Sequence, residues 1–135
     1  MIRTFLDSGV LIAAARGKRT LADAAMQILD DPEREYVSSD FVKLEVLPKA
    51  LYHKNADEAD FYVVFFNNVR AWANINALLV KRTHEIARKY GLSAMDALHI
   101  ASALALKADE FVTSEKTSKP LYRAIKEIRI TGIRP

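Results

Sequence analysis

Four acidic residues stand where an acid is out of keeping with its neighbours: Asp7, Glu45, Asp96 and Glu115. Asp7 closes the stretch Ile2 to Leu6, and Glu45 lies among Phe41, Leu44 and Leu47 just before Pro48. Asp96 opens a stretch in which Ala97, Ile100, Ala101 and Leu104 recur at i, i+3, i+4 and i+7, the apolar stripe of a helix. Glu115 follows Phe111-Val112-Thr113-Ser114. Carboxylates gathered at one point suit a hard divalent cation, because Mg²⁺ and Mn²⁺ take oxygen ligands. Without a cation, two such charges ~4 Å apart repel by roughly 4 kcal/mol at an effective dielectric near 20. Asp96 also has a purely local reading. Ser93-x-x-Asp96 is a capping box, with the acid at the positive end of a helix.

Other chemistries find little support. The three histidines, His53, His84 and His99, are scattered without ligand spacing, and His99 reads as a residue that packs or meets solvent near its helix start. There is no cysteine, so neither a disulfide framework nor a thiolate site can form, and a reducing, cytoplasmic setting is expected. No serine sits in a nucleophile elbow. With only four glycines, no phosphate-cradling loop can be drawn. Half of the 135 residues are hydrophobic, enough for one packed domain spanning 1–135. A net charge of +3 is compatible with a nucleic-acid partner. Asp7 interrupts the apolar start, and no segment approaches a membrane span.

The elements that must position these acids follow in order. Ile2 to Leu6 reads as a strand and Val10 to Ala15 as a short helix. Leu21, Ala24, Ala25, Ile28 and Leu29 mark an amphipathic helix over Thr20 to Asp30. A strand follows at Tyr36 to Ser38. Ser39 or Asp40 then caps a helix that Pro48 should kink or end, since proline has no amide for the carbonyl of Leu44. Ala56 to Arg70 is a helix whose run Phe61 to Phe66 is apolar nearly all round. One side can face the core; the other needs a cover, from this chain or from a second copy. Trp72 to Ile75 reads as a weak strand and Asn76 to Tyr90 as a helix. Gly91 ends that helix, and Ser93 starts the next. Glu110 to Thr113, Pro120 to Lys126 and Ile128 to Thr131 read as strand, short helix and strand.

Strands alternating with helices imply a three-layer α/β/α domain with a parallel five-stranded sheet. Right-handed crossovers suggest the order 3-2-1-4-5. Asp7 and Glu115 then stand at the carboxyl ends of strands 1 and 4, which flank the point where the order reverses, and Glu45 and Asp96 reach the same end of the sheet from helices. Ligands of such sheets bind there.

At this point the chain resembles PIN-domain ribonucleases, especially the small toxins of VapBC-type modules. The matching stretches are Phe5-Leu6-Asp7-Ser8, Glu45, Tyr90-Gly91-Leu92-Ser93, Asp96-Ala97-Leu98-His99-Ile100-Ala101 and Val112-Thr113-Ser114-Glu115-Lys116. They cover almost the whole chain in order and spacing. The resemblance implies that the acids at these four positions bind Mg²⁺ or Mn²⁺ and support RNA cleavage. The fourth acid is usually aspartate in the family; here Glu115 is one methylene longer. Ser8 and Ser114 could contact phosphate or metal-bound water, or simply cap loops. Lys116, Lys119 and Arg123 could meet the RNA backbone, or form a solvated face. The resemblance also implies an antitoxin partner, and the aromatic helix suggests a homodimer contact. The competing readings are a catalytically silent PIN-like binding module and a receiver-like signalling domain. Against the latter, Asp7 has no acidic residue before it and no lysine lies in the last strand.

Overall fold

The computed structural model describes residues 1–135. Its elements are β1 (Ile2–Leu6), α1 (Ser8–Arg16), α2 (Arg19–Leu29), β2 (Arg34–Ser38), α3 (Asp40–Tyr52), α4 (Ala56–Asn67), β3 (Ala71–Trp72), α5 (Ala77–Tyr90), α6 (Ala94–Ala105), β4 (Glu110–Thr113), a 3₁₀ segment (Pro120–Lys126) and β5 (Arg129–Gly132). All strand pairs are parallel, in the order β3-β2-β1-β4-β5. Helices α1 to α4 pack together as one layer, and α5, α6 and the 3₁₀ segment as the other. This is the expected three-layer architecture and strand order.

The central strands are buried on both faces, as a parallel sheet between helical layers requires. Phe5 and Phe111 are register partners on β1 and β4, and their rings stack at 5.5 Å. Leu6 pairs with Val112 on the other face. The same register brings Asp7 and Thr113 level at the carboxyl edge, where the Asp7 amide donates to the carbonyl of Val112 at 3.0 Å. The opposite edge is closed by a polar cluster. Glu110, 2 % exposed, accepts from Arg34 Nε at 2.6 Å, Thr4 Oγ1 at 2.9 Å and Thr131 Oγ1 at 3.2 Å. One carboxylate thus ties together β1, β2, β4 and β5.

The α5–α6 corner follows its local signals. Gly91 takes φ 64°, ψ 41° and returns its amide to the carbonyl of Ala87, the left-handed cap that glycine adopts without Cβ strain. Ser93 Oγ then accepts from the amide of Asp96 at 3.3 Å, starting α6 in the expected place. The guanidinium of Arg123 donates to the carbonyls of Tyr90 and Gly91, closing the end of α5.

Several boundaries differ from the sequence expectation, each for a physical reason. Helix α3 runs through Pro48 to Tyr52. Both Pro48 and Leu44 lie on its exposed side, so the carbonyl freed by proline faces water rather than core. Helix α1 begins at Ser8, because Asp7 itself is the N-cap. Helix α4 stops at Asn67. Asn68 takes up its last carbonyls, donating from the side-chain amide to Val64 O at 2.7 Å. The third strand is only Ala71–Trp72: Ala73 still donates to Ser38 O, then the chain turns so that Asn76 can cap α5. Residues Pro120–Lys126 coil as a 3₁₀ helix.

The aromatic run of α4 is mostly covered by this chain. Tyr62, Phe65 and Phe66 are buried, with Phe66 against Trp72 and Phe65 against Tyr36. Its outward side shows Val63 and Val64 among Asp60, Asn67 and Asn68, a narrower apolar strip than the sequence run suggests. No helix is long and apolar enough to cross a membrane.

Candidate metal centre

Asp7 is the buried member of the acidic group, 7 % exposed, and both its oxygens are engaged. Oδ1 accepts the amide of Val10, which caps α1; Oδ2 accepts the hydroxyl of Thr113 at 2.5 Å. Thr113 Oγ1 in turn accepts the amide of Glu115 at 3.0 Å. A short chain of bonds therefore joins the end of β1 to the loop after β4. Burial pushes the Asp7 carboxyl up to about 6, against the lowering effect of its two hydrogen bonds, and the nearby charge of Glu115 adds to the rise.

Asp96, half-buried in the first turn of α6, is also raised. Burial is the main cause, and the charges of Glu115 and Glu45 push the same way. Glu45 moves in the opposite direction. Its Oε1 lies 2.6 Å from His99 Nε2, and that hydrogen bond holds the carboxyl below its ordinary range despite partial burial; the Ser8 hydroxyl beside it acts in the same sense. Thus acids from β1, α3, α6 and the loop after β4 act on one another electrostatically around one edge of the sheet. Two of the four carry a proton more readily than a free carboxyl would. Such cost is typical of functional sites.

The fit to a divalent cation is one of donor chemistry. The side chains offer oxygen from Asp7, Glu45, Asp96 and Glu115. No three of the acidic or histidine side chains stand close enough together to ligate a single ion as they lie. A small hard cation can bind through one or two carboxylates, with water completing its shell. Each Asp7 oxygen accepts one hydrogen bond and keeps a lone pair free.

The remaining expected residues are placed as follows. Ser8 lies beside Glu45. Ser114 lies against Gly9: a methyl group at Gly9 would overlap Ser114 Oγ and crowd Asp7 Oδ1. The absent side chain at Gly9 is what lets the first turn of α1 approach the loop after β4. Lys116 and Glu115 line an open cleft of about 690 Å³ that also includes Tyr122 and Arg134. Lys119 and Arg123 are exposed, and one guanidinium nitrogen of Arg123 meets the end of α5. A largely apolar cavity of about 400 Å³, lined by Trp72, Leu79 and Ile86, contains none of the four acids.

Two further residues are built into this edge. His99 takes the packed of its two expected alternatives, and its partner, which sequence reasoning did not find, is Glu45. Thr113 holds Asp7. Replacing Thr113 by valine keeps the shape and removes the donor, so the Asp7 midpoint should climb above about 6. Carboxyl-carbon NMR titration of the metal-free variant will show it; an unmoved midpoint would mean that this hydroxyl does not support the charge.

A doubly wound α/β domain with acids gathered at its switch point is the class that fold and site define. Within that class the chain belongs to the PIN-domain family, whose profile matches residues 4–123. No curated protein sequence matches the chain. Among solved structures, one similar chain comes from a toxin–antitoxin complex of Klebsiella pneumoniae, at 19 % identity and TM-score 0.72, covering 97 % of this chain and 98 % of that one. Another comes from VapBC2 of Rickettsia felis bound to a promoter DNA fragment, at 15 % identity and TM-score 0.72, with the same coverages. A third is from FitAcB of Neisseria gonorrhoeae, at 16 % identity and TM-score 0.65, covering 96 % and 97 %. At these identities the likeness is one of fold.

Proposed function

We propose that this chain is a divalent-metal-dependent endoribonuclease and the toxin of a type II toxin–antitoxin module. The observation that carries the reading is the meeting of Asp7, Glu45, Asp96 and Glu115 around the switch point, close enough for their charges to perturb one another. The PIN-domain family is typically nucleolytic and generally metal-dependent. The structural matches to toxin–antitoxin complexes support an antitoxin partner for this chain, and with it a cytoplasmic site of action.

Asp7 and Asp96 would hold Mg²⁺ or Mn²⁺, with Glu45 and Glu115 contributing directly or through water. When bound, the ion supplies an acidified water as nucleophile and offsets charge building on the phosphate. Glu115, one methylene longer than aspartate, would support a second ion or orient the attacking water. Ser8 and Ser114 offer hydroxyl donors to the phosphate, while Lys116 and Lys119 neutralise neighbouring phosphates of the strand. Attack by water leaves 5′-phosphate and 3′-hydroxyl ends. Arg123, exposed and with only one guanidinium nitrogen engaged at the end of α5, would offer its remaining N–H groups to the same RNA backbone.

The decisive experiment is cleavage of single-stranded RNA with Mn²⁺, with EDTA, and with Mn²⁺ restored. Activity should vanish and return, and Asp96→Asn should lower it at least ~100-fold with an unchanged circular-dichroism spectrum. Full activity in Asp96→Asn would sink the reading. The second reading is a silent binding module, favoured by the spacing that leaves no three acids within ligating reach. Calorimetric titration with Mn²⁺ separates the two, since a silent module need not bind the ion.

A further inference from the structure

His99 lies one turn beyond Asp96, on the inward side of α6. Its side chain is only 5 % exposed, while that of its partner Glu45 is 33 % exposed. The ring packs beside Phe5, with centroids 6.1 Å apart, and Nε2 lies 2.6 Å from Glu45 Oε1. The other ring nitrogen, Nδ1, is buried and has no hydrogen-bond partner. Glu45 belongs to the layer of α1 to α4, and His99 to the layer of α5 and α6. The contact therefore crosses the carboxyl edge of the sheet between residues 54 apart in sequence.

Two physical facts give this contact a direction. A carboxylate only accepts, so Nε2 must carry the hydrogen. A ring whose only hydrogen sat on Nδ1 would bury a donor without an acceptor and set the Nε2 lone pair against a carboxylate oxygen. The geometry therefore places a hydrogen on Nε2, directed at Glu45 Oε1. A glutamate side chain has three freely turning bonds and loses up to about 2 kcal/mol of conformational entropy when fixed. Held through Oε1 by a buried ring, Glu45 has its second oxygen, Oε2, outside that bond and on a side chain whose rotation is restricted.

We propose that His99 is a positioning residue: it fixes the rotamer of Glu45 by donating from Nε2 to Oε1, so that Oε2 is presented to a cation at the acidic edge. The role rests on the metal-dependent reading above, but the contact itself does not. Such partners of metal-binding carboxylates typically affect metal affinity by 10- to 100-fold.

Three proteins suffice for the test: the full chain, His99→Leu and His99→Gln. The amide of glutamine can replace the Nε2 donor, whereas leucine keeps the bulk and removes it. In EDTA, long-range ¹⁵N correlation spectra of wild type should show His99 carrying a hydrogen at Nε2; a ring bare at Nε2 overturns the proposal. With Mn²⁺ alone as the probe, calorimetry should show His99→Leu binding at least tenfold more weakly, and His99→Gln within about threefold of wild type. RNA cleavage should split the same way, with kcat reduced in His99→Leu and KM little changed. Leucine equal to wild type, or glutamine as impaired as leucine, overturns the positioning role. If His99→Leu fails to fold, the glutamine variant and the tautomer still decide. A wild-type chain that neither binds Mn²⁺ nor cleaves RNA refutes the ribonuclease reading, whatever the tautomer shows.

Discussion

Asp7→Asn should abolish RNA cleavage and, in EDTA near pH 7.5, melt at a higher temperature than wild type. Asparagine is as good an N-cap as aspartate, and its oxygen can still accept from the amide of Val10, so α1 keeps its start. What is lost is a buried charge. The carboxyl is raised from 3.8 to about 6 in the folded protein, so the native state binds the proton more tightly than the unfolded chain does. Stability from this group therefore falls as pH rises from 3.8 to about 6, and the full cost applies above that window. A shift of this size corresponds to about 3 kcal/mol. That figure is already net of the bonds from Thr113 and Val10, so the variant should gain up to about 3 kcal/mol. The gain should shrink between pH 6 and 4, and reverse on adding Mn²⁺, which stabilises only the protein that binds it. Thermal denaturation at several pH values reads all three effects. A variant less stable than wild type in EDTA at pH 7.5 would contradict the account.

The largest loss of stability is expected at the other edge of the sheet. Glu110→Ala leaves Arg34 half-paired, keeping only its bond to Asp31, strips the Thr131 hydroxyl of its acceptor and leaves that of Thr4 only the long contact to Ile2 O at 3.5 Å. Removing one partner from a buried ion pair typically costs about 3–5 kcal/mol, or a fall of roughly 10–20 °C in Tm at this chain length. The pH dependence has the opposite sign to that of Asp7. Burial alone would raise the Glu110 carboxyl, but Arg34, Thr4 and Thr131 outweigh it and hold it low. Its contribution is present above the unfolded carboxyl range and lost as pH falls through the folded one. The variant should accordingly show a shallower loss of stability in acid than wild type, with Mn²⁺ affinity unchanged. A loss under 1 kcal/mol in chemical denaturation would show that the cluster does not brace the sheet.

How much of this was legible beforehand depends on how far along the chain each partner lies. The cap at Ser93, the stop at Gly91 and the alternation of strand with helix are local, and they settle the order of the sheet. Pro48 misleads, because whether a freed carboxyl-side carbonyl finds water depends on which way α3 faces. The aromatic run of α4 misleads for a similar reason: its rings meet Tyr36 and Trp72, which lie in different strands. Thr113 and Asp7 are 106 positions apart, and Glu45 and His99 are 54 apart. Such pairs leave no periodicity for a window of residues to detect. Asp7, by contrast, announces itself by breaking an apolar run.

The two helical layers send acids to the same rim, Glu45 from one side and Asp96 from the other. A cation gripped by both would act as a clasp across the seam between the halves of the molecule. Tightness of grip and resistance to unfolding then become one quantity viewed from two directions. A chain built this way would be hardest to degrade with its cation in place.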